Sequence, residues 1–336
     1  MVAERDINGR GPVGPDEGPR SPLRLNRGQQ WSAVKRAAPE FKADGATDLA
    51  AALTYYGVLS IFPGLLVLVS VLGFLGDSAV SEVQALVREL APGSVGDFLD
   101  QAITQVSNNA GAAGLAAVAG LVIAFWSASS YVSAFMRASN SIYDVPEGRP
   151  VWKTLPIRLG VTAVVGLLLI ASAVIVVFTG NLAEKVGRLI GLGGTAVTVW
   201  NIAKWPVLLV LVSLMLSILY WASPNARQGG FHWATPGGAL AVLLWLVLSA
   251  GFAFYVANFA SYNRTYGAIA GVIVFLVWLW LTNCAILFGA ELDAELERER
   301  AIAAGHPGDE EPYLQLRDHR RLDRGPDLDR DRPERT

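Results

Sequence analysis

Residues 266–290 read YGAIAGVIVFLVWLWLTNCAILFGA and contain no charged side chain. About 20 apolar residues in an α-helix cross the roughly 30 Å hydrocarbon core of a bilayer, because a helix bonds its backbone polar groups internally. This run therefore predicts a membrane-spanning helix.

Five further runs have a similar length and composition, so the sequence predicts six spans. The other five lie at roughly 49–76, 111–136, 156–180, 200–222 and 234–259. The run at 200–222 carries Lys204 and Pro206 near its start, and the predicted topology depends on it. With 52% hydrophobic and 17% charged residues, the chain is expected to be an all-α, polytopic integral membrane protein with a six-helix transmembrane bundle.

The distribution of Lys and Arg orients the predicted bundle. Basic residues are more frequent in the flanks that carry the termini and the second and fourth connections than in the other connections. Both termini are therefore predicted to be cytoplasmic. The first 30 residues contain no apolar core typical of a signal peptide, and the N-terminus is expected to stay in the cytosol.

The flanking segments have different compositions from the spans. Residues 1–28 are predicted to be a disordered leader, and 301–336 a disordered tail that mixes both charge signs. Residues 29–44 predict an amphipathic helix on the inner leaflet, with Lys35, Arg36 and Lys42 facing away from the lipid, or else a solvated leader. The connection 77–110 predicts amphipathic helices on the outer face.

Enzymatic chemistry finds little support in the sequence. The three histidines are more than four residues apart, the single cysteine lies in an apolar run, and no P-loop or G-x-S-x-G motif is present. A net charge of −2 gives no indication of nucleic-acid binding. We therefore predict no enzymatic activity, no catalytic or metal-binding residues, no cofactor and no nucleic-acid partner.

The first span contains a polar stripe. Tyr56, Ser60 and Pro63 recur at helical spacing, and a proline in a spanning helix is tolerated where protein or water satisfies the freed carbonyl. The stripe is a candidate cavity lining, with a kink at Pro63. The alternative is that the tyrosines are interfacial anchors.

Polar residues also crowd the junction of spans five and six. Asn258, Tyr262, Asn263 and Tyr266 form either a gate or headgroup-binding site at the outer face or a simple hairpin turn. The Gly267-x-x-x-Gly271 spacing that follows predicts close helix packing.

Three further polar residues lie in or near the spans. Asn283 is expected to bond another helix, because an unpaired amide in the membrane is costly. Arg137, near Asn140 at the end of span two, either binds a phosphate headgroup or extends its side chain to the interface.

Three segments carry a family resemblance. They are DLAAALTYYGVLSIFPGLLVLVSVLG (48–73), FWSASSYVSAFMRASNSIYDVPEGRPVWK (125–153) and PGGALAVLLWLVLSAGFAFYVANFASYNRTYGAIAGVIVFLVWLWLTNCAILFGAELDAELER (236–298). Together they resemble the YihY/BrkB family of bacterial inner-membrane proteins. The resemblance implies six transmembrane helices over 45–300. It brings no catalytic residues, although the family was long labelled ribonuclease BN and some members are linked to virulence.

The favoured hypothesis is a transporter or flippase-like protein in the inner membrane. Its expected partners are membrane lipids and an amphiphilic or small polar substrate, and its oligomeric state stays open. Six spans divide into two halves of opposite orientation, an arrangement that many carriers use. The alternative is a scaffold or envelope-assembly protein that transports nothing, in which the polar residues only satisfy one another.

Overall fold

Seven helices form the described part of the chain in a computed structural model. The structure describes residues 12–14, 19, 24–73, 81, 84–85, 114–177, 194–258 and 263–323. The helices are α1 (Arg27–Ala43), α2 (Ala46–Gly73), α3 (Gly114–Ile142), α4 (Val151–Val177), α5 (Gly194–Ala222), α6 (Pro236–Asn258) and α7 (Asn263–Ala303). No strand occurs among these residues, where only two isolated β-bridges are found.

Four of the helices are long and apolar enough to cross a membrane. In the described residues these are Val151–Val176, Thr198–Ala222, Pro236–Tyr255 and Gly271–Ala303. The predicted fourth span is thus a continuous helix in spite of Lys204 and Pro206. Helices α2 and α3 lie where the first two spans were predicted, and the total of six spans remains a prediction.

Helices α2 to α7 form a ring. Each contacts the next along the chain, and α7 returns to contact α2. Helix α3 also reaches across to α5 and α7, while α1 lies against α7 and α2. The ring places residues from distant parts of the sequence at one end of the bundle.

Apolar side chains divide between a small core and a large exposed surface. Leu53, Phe135 and Leu287 are fully buried between the helices. Leu167 and Ile202 are 66% and 68% exposed in the middle of their helices. Exposed aliphatic side chains of this kind are expected where the surrounding solvent is hydrocarbon.

Helix α1 exists close to its predicted position and lies against α7. It begins at a capping box, in which the Asn26 side chain accepts from the Gln29 backbone N–H at 2.9 Å. Ala33 is buried in contact with the α7 side, and Phe41 contacts Phe288 with ring centroids 5.4 Å apart. Arg36 forms ion pairs with carboxylates of α7, and the placement of α1 on the inner leaflet stays a prediction.

The prediction of disordered termini was wrong for the residues that the structure describes. Residues 304–323 pack against the bundle, where Tyr313 and Leu314 are buried. Val13 of the leader is buried too, and its N–H donates to the Tyr313 carbonyl at 3.0 Å. Few apolar residues suffice here because backbone and charged groups make most of these contacts.

A close approach of two helices lies away from the predicted glycine pair. A Cβ on Gly271 would meet no atom within 4 Å, so the expectation of close packing was wrong at that residue. Helices α6 and α7 instead meet at Gly237 and Gly289, where an added Cβ on either residue would collide with the backbone carbonyl of the other.

Helix α6 begins where its sequence predicts a start. Thr235 is followed by proline, and its hydroxyl accepts from the Gly238 N–H at 2.9 Å.

The predicted helices of the connection 77–110 lie outside the described residues, apart from residues 81 and 84–85, which are helical.

Candidate functional site

Among the residues that the structure describes, polar groups concentrate at one end of the bundle, which we call the polar end. It comprises α1, the connections 143–150 and 223–235, residues 291–303 of α7, and residues 304–323. All of these segments lie outside the apolar middle of the helices.

Arg149 is the centre of a buried network at the polar end. Its side chain is 2% exposed and donates to Glu147 through Nε at 2.8 Å and Nη2 at 2.7 Å. Nη2 also donates to the Ser223 carbonyl at 2.7 Å. Asn140 connects the network to two elements, since it donates to Glu147 at 2.9 Å and accepts from the Asn225 N–H at 2.7 Å. Asn140, a candidate substrate contact in the sequence, thus bonds only to protein here.

Residues 304–323 are attached to the same network. The Asn225 amide donates to the carbonyls of Pro146 at 3.0 Å and Asp318 at 2.9 Å. Asp318 is buried and pairs with Lys153 at the start of α4 at 2.5 Å. These bonds therefore join three segments to one another: the connection 143–150 before α4, the connection 223–235 after α5, and residues 304–323 after α7.

The part of α7 at the polar end carries a ladder of buried acidic residues that α1 partly neutralises. Glu295 and Glu299 each accept from the Arg36 guanidinium, at 2.6 and 2.7 Å. Arg298 of the same helix pairs with Glu40 of α1 at 3.0 Å. These contacts hold α1 against α7.

Two carboxyl groups beside this ladder have raised pKa values. Partial burial is the main cause for Asp44 and Asp144, and repulsion from Glu40 and Glu311 adds to it. A hydrogen bond with Glu291 opposes the shift at Asp44, and the charge of Arg298 opposes it at Asp144. The pKa of Asp44 rises to about 6 and that of Asp144 to about 7.

These pKa shifts predict a pH-dependent stability. A carboxyl group with a raised pKa binds its proton more tightly in the folded state, so its contribution to stability is lost as pH rises from about 4 to about 7. We expect the double variant Asp44→Asn/Asp144→Asn to lose less thermal stability than the wild type between pH 5 and pH 8. Asn tolerates the positive φ of 51° at residue 144. Equal changes of melting temperature in both proteins, measured in detergent micelles, would contradict the prediction.

A cavity of about 50 Å³ opens at the start of α6. Its lining includes Tyr143, Ser217, Gln228, Asp293 and Glu297. Asp293 Oδ1 accepts from the Gly237 N–H at 2.7 Å. This cavity is acidic and lies apart from most of the residues that the sequence singles out.

A second feature, which we call the arginine site, lies on α3 and α4. It consists of Arg137 and Arg158, with the side chains that hold them: Tyr56, Trp126, Ser129, Ser130 and Ser133.

The two arginines are fixed by hydroxyl groups and aromatic rings. Arg158 donates to Ser129 Oγ at 2.5 Å through Nη2 and lies 5.1 Å from the centroid of the Trp126 ring. Arg137 donates to Ser133 Oγ at 3.2 Å and lies 5.9 Å from the Tyr56 ring. The two guanidinium charges repel each other, and neither pairs with a carboxylate of the described residues. The site can therefore accept an anion.

The structure separates the residues of the predicted cavity stripe. Tyr56 lies at the arginine site, as described. The Ser60 hydroxyl donates to the Tyr56 carbonyl of its own helix at 2.7 Å. Pro63 lies within α2, but the structure does not describe its side chain, so the kink predicted at Pro63 stays a prediction.

Asn283 joins three helices, as expected of an amide in a span. Its Oδ1 accepts from the Tyr131 hydroxyl of α3 at 2.8 Å, and its Nδ2 donates to Thr54 Oγ1 of α2 at 3.0 Å. With 1% exposure, this side chain is a structural link between helices.

The structure does not test the candidate gate or headgroup-binding residues at the junction of spans five and six. Helix α6 ends at Asn258 and α7 begins at Asn263, which places the junction where the sequence predicts it. Tyr262 and the side chains of Asn258, Asn263 and Tyr266 lie outside the described residues.

Sequence reasoning did not select Arg158 or Asp293 as site residues. In the sequence, Arg158 is the third residue of the predicted span 156–180, and a basic residue at the edge of a span is common. The available signal was that Arg158 is the one charged residue in the predicted span 156–180. In the sequence, Asp293 follows the last predicted span, where a helix that leaves the membrane becomes charged, and nothing in the sequence places it next to the start of α6.

Known proteins resemble this chain along most of its length. YfkH, a ribonuclease-like protein of Bacillus subtilis (strain 168), is 28% identical over 282 residues, which cover 84% of this chain and 99% of that protein. A UPF0761 membrane protein of Rhodospirillum centenum is 32% identical over 275 residues, or 80% of this chain and 58% of the relative. A UPF0761 membrane protein of Alkalilimnicola ehrlichii is 32% identical over 286 residues, or 80% of this chain and 60% of the relative. This chain thus spans less than two thirds of those two relatives. No solved structure matches it.

The family model described as virulence factor BrkB matches residues 37–313. That range includes all seven helices except the first turns of α1, together with the connections of the polar end. The relatives named membrane proteins agree with the long apolar helices. The chain is a multi-pass membrane protein that belongs to the virulence factor BrkB family.

Proposed function

We propose that the protein is a flippase-like transporter that moves an anionic amphiphile between the two leaflets of the bacterial inner membrane. The observation that carries the proposal is the arginine site, with two guanidinium groups on adjacent helices and no carboxylate to neutralise them among the described residues. The proposal assigns the chain no catalytic activity, and the name of YfkH is not carried over to it.

The depth of the arginine site matches a lipid headgroup. Arg137 is five residues from the end of α3, and Arg158 is seven residues from the start of α4. At about 1.5 Å per residue, both lie about 8–11 Å inside the helix ends that face the polar end. On this proposal the polar end is cytoplasmic, as the distribution of basic residues predicts.

The surface beside the arginine site suits an acyl chain. Val122, Ile123 and Trp126 of α3 are 57–62% exposed, and they lie farther from the polar end than Arg137 does. Tyr55 and Leu59 are exposed on α2, also deeper than the start of that helix. An anionic headgroup on the arginines would leave its apolar part along these side chains. Such a surface favours an amphiphile over a small polar solute.

The test is lipid transfer in proteoliposomes. Fluorescent phosphatidylglycerol and phosphatidylcholine analogues report transfer between leaflets when a membrane-impermeant reductant quenches only the outer leaflet. We expect wild-type protein to accelerate transfer of the anionic analogue, and Arg137→Gln/Arg158→Gln to slow it at least tenfold. Arg137→Lys/Arg158→Lys, which keeps both charges, is expected to retain more activity than the Gln pair.

Helix α5 provides a matched control. Lys204 is also a cation in a spanning helix that lies over an aromatic ring, 5.4 Å from the centroid of Trp205. Lys204→Gln is expected to leave the transfer rate unchanged. Transfer no faster than in protein-free vesicles would overturn the proposal and favour the scaffold alternative. Equal rates for the wild type and the Gln pair would remove the arginine site from the mechanism.

A further inference from the structure

We infer that the cavity at the start of α6 binds one small monovalent cation. This cavity lies beside the contact between α6 and α7, and it shares no residue with the arginine site. The inference does not rest on the proposed transport function.

The first observation is a buried carboxylate whose charge is incompletely compensated. Asp293 is 8% exposed and lines the cavity, and its Oδ2 has no hydrogen-bond partner. Oδ1 accepts from the Gly237 N–H at the start of α6, where the helix dipole is favourable. The Thr235 hydroxyl also stabilises the ionised carboxylate through a side-chain hydrogen bond, but it brings no charge. An ionised carboxylate in such a place is costly unless a positive charge accompanies it.

The second observation is independent of the acidic residues. Ser217 of α5 lines the same cavity, is 1% exposed, and its Oγ has no hydrogen-bond partner. Buried hydroxyl groups are normally bonded to protein, water or an ion. Tyr143 adds a phenol oxygen that already accepts from Gln228 Nε2 at 2.7 Å. The lining therefore offers one free carboxylate oxygen and neutral oxygens.

The other charged groups near the cavity limit the charge of the ligand. Glu297 is paired with the fully buried Arg300 at 2.6 Å, so it is largely neutralised. His232 lines the cavity, and Arg317 lies over Trp221 and donates to the Ala226 carbonyl. The described residues contain no group of three or more His, Cys, Asp or Glu that could hold a metal ion. One unpaired carboxylate therefore suits a single positive charge better than a divalent ion, which usually takes several carboxylates.

The size of the cavity agrees with this ligand. Its volume, counted as the space open to the centre of a water-sized sphere, is about 50 Å³, and about 10–15 Å³ of this kind is enough for one water molecule. A sodium or potassium ion with one remaining water fits this volume. A choline ion, whose nitrogen is covered by four carbon substituents, cannot approach Asp293 Oδ2 as closely as an alkali ion and provides a control cation.

The experiment compares ion-dependent stability in detergent micelles at pH 8.5. A ligand that binds only the folded state raises the melting temperature by mass action. We expect NaCl or KCl to raise the melting temperature of the wild type saturably, by several degrees more than choline chloride at the same ionic strength. Equilibrium dialysis with radioactive sodium or rubidium should show one bound ion per chain.

Asp293→Asn is expected to abolish the ion-specific shift and the bound isotope. Its side-chain oxygen can still accept from the Gly237 N–H, so the start of α6 keeps its contact. Asp309→Asn, at an exposed residue outside the cavity, is the matched control and should behave as the wild type. Equal melting temperatures of the wild type in all three salts, without bound isotope, would overturn the inference. So would an Asp293→Asn protein that keeps the ion-specific shift.

Discussion

Replacing Arg149 with alanine is expected to destabilise the folded protein by about 3 kcal/mol or more. The substitution removes the buried partner of an ion pair and leaves the partly buried Glu147 carboxylate uncompensated, and breaking a fully buried pair costs about 3–5 kcal/mol in proteins. Glu147 would keep its contacts with the Asn140 amide and with the backbone N–H of residue 149, but would lose both guanidinium contacts. The Ser223 carbonyl would also lose its donor. SDS titration of the purified protein, followed by tryptophan fluorescence, measures the change.

Two companion variants separate charge from shape at this position. Arg149→Lys keeps the charge but cannot reproduce the two parallel contacts with Glu147, so an intermediate loss is expected. Adding Glu147→Gln to Arg149→Ala removes the stranded carboxylate and should recover part of the lost stability. A double variant less stable than Arg149→Ala would show that the stranded charge is not the cause.

Replacing Gly289 with alanine is expected to destabilise the protein by about 2–3 kcal/mol, within the range for overpacked cores. The new Cβ would collide with the Gly237 carbonyl and lie 2.7 Å from the Tyr220 hydroxyl and 2.8 Å from Ala241 Cβ. Helices α6 and α7 would have to separate. That movement would disturb the hydrogen bond from Tyr220 to the Ile286 carbonyl, which is 2.6 Å long. The same SDS titration measures the loss.

Gly271→Ala is the matched control, because it is the same substitution on the same helix. Its Cβ would meet no atom within 4 Å. Since alanine favours the helix over glycine by up to about 1 kcal/mol, this variant should be as stable as the wild type or slightly more stable. A loss at Gly271 equal to that at Gly289 would contradict the packing argument.

The helices were predictable because a bilayer imposes a strong constraint on length and composition. The apolar run at 200–222 predicted a continuous helix even with Pro206 inside it, since many residues contribute to that signal. Asn283 was predictable on the same grounds. A buried amide in a spanning helix needs hydrogen-bond partners, and these are most often polar groups on neighbouring helices.

The ordered residues 304–323 could not be predicted from composition. Their apolar content is low, and the contacts that hold them come from single residues far away in the chain, such as Asn225 and Lys153. The close approach at Gly289 was missed for a related reason. Its partner Gly237 lies on another helix, whereas a spacing rule such as G-x-x-x-G examines one helix at a time.

The site was predicted in part. Arg137 was selected as a phosphate-binding candidate from its charge near headgroup depth, but the second cation, Arg158, belongs to the next helix and only the fold brings the two together. The cavity at Asp293 depends on three helices and a connection that meet at the polar end. No local pattern carries that information.

Helix α7 has 41 residues and is bonded along its length to different parts of the molecule. At about 1.5 Å per residue it is about 60 Å long, roughly twice the hydrocarbon thickness. Asn283 ties its middle to α2 and α3, while Glu295 and Glu299 tie its end to α1. Because α7 is one continuous helix, a tilt of its part inside the bilayer would also move α1 and the attached C-terminal segment, which lie outside the bilayer.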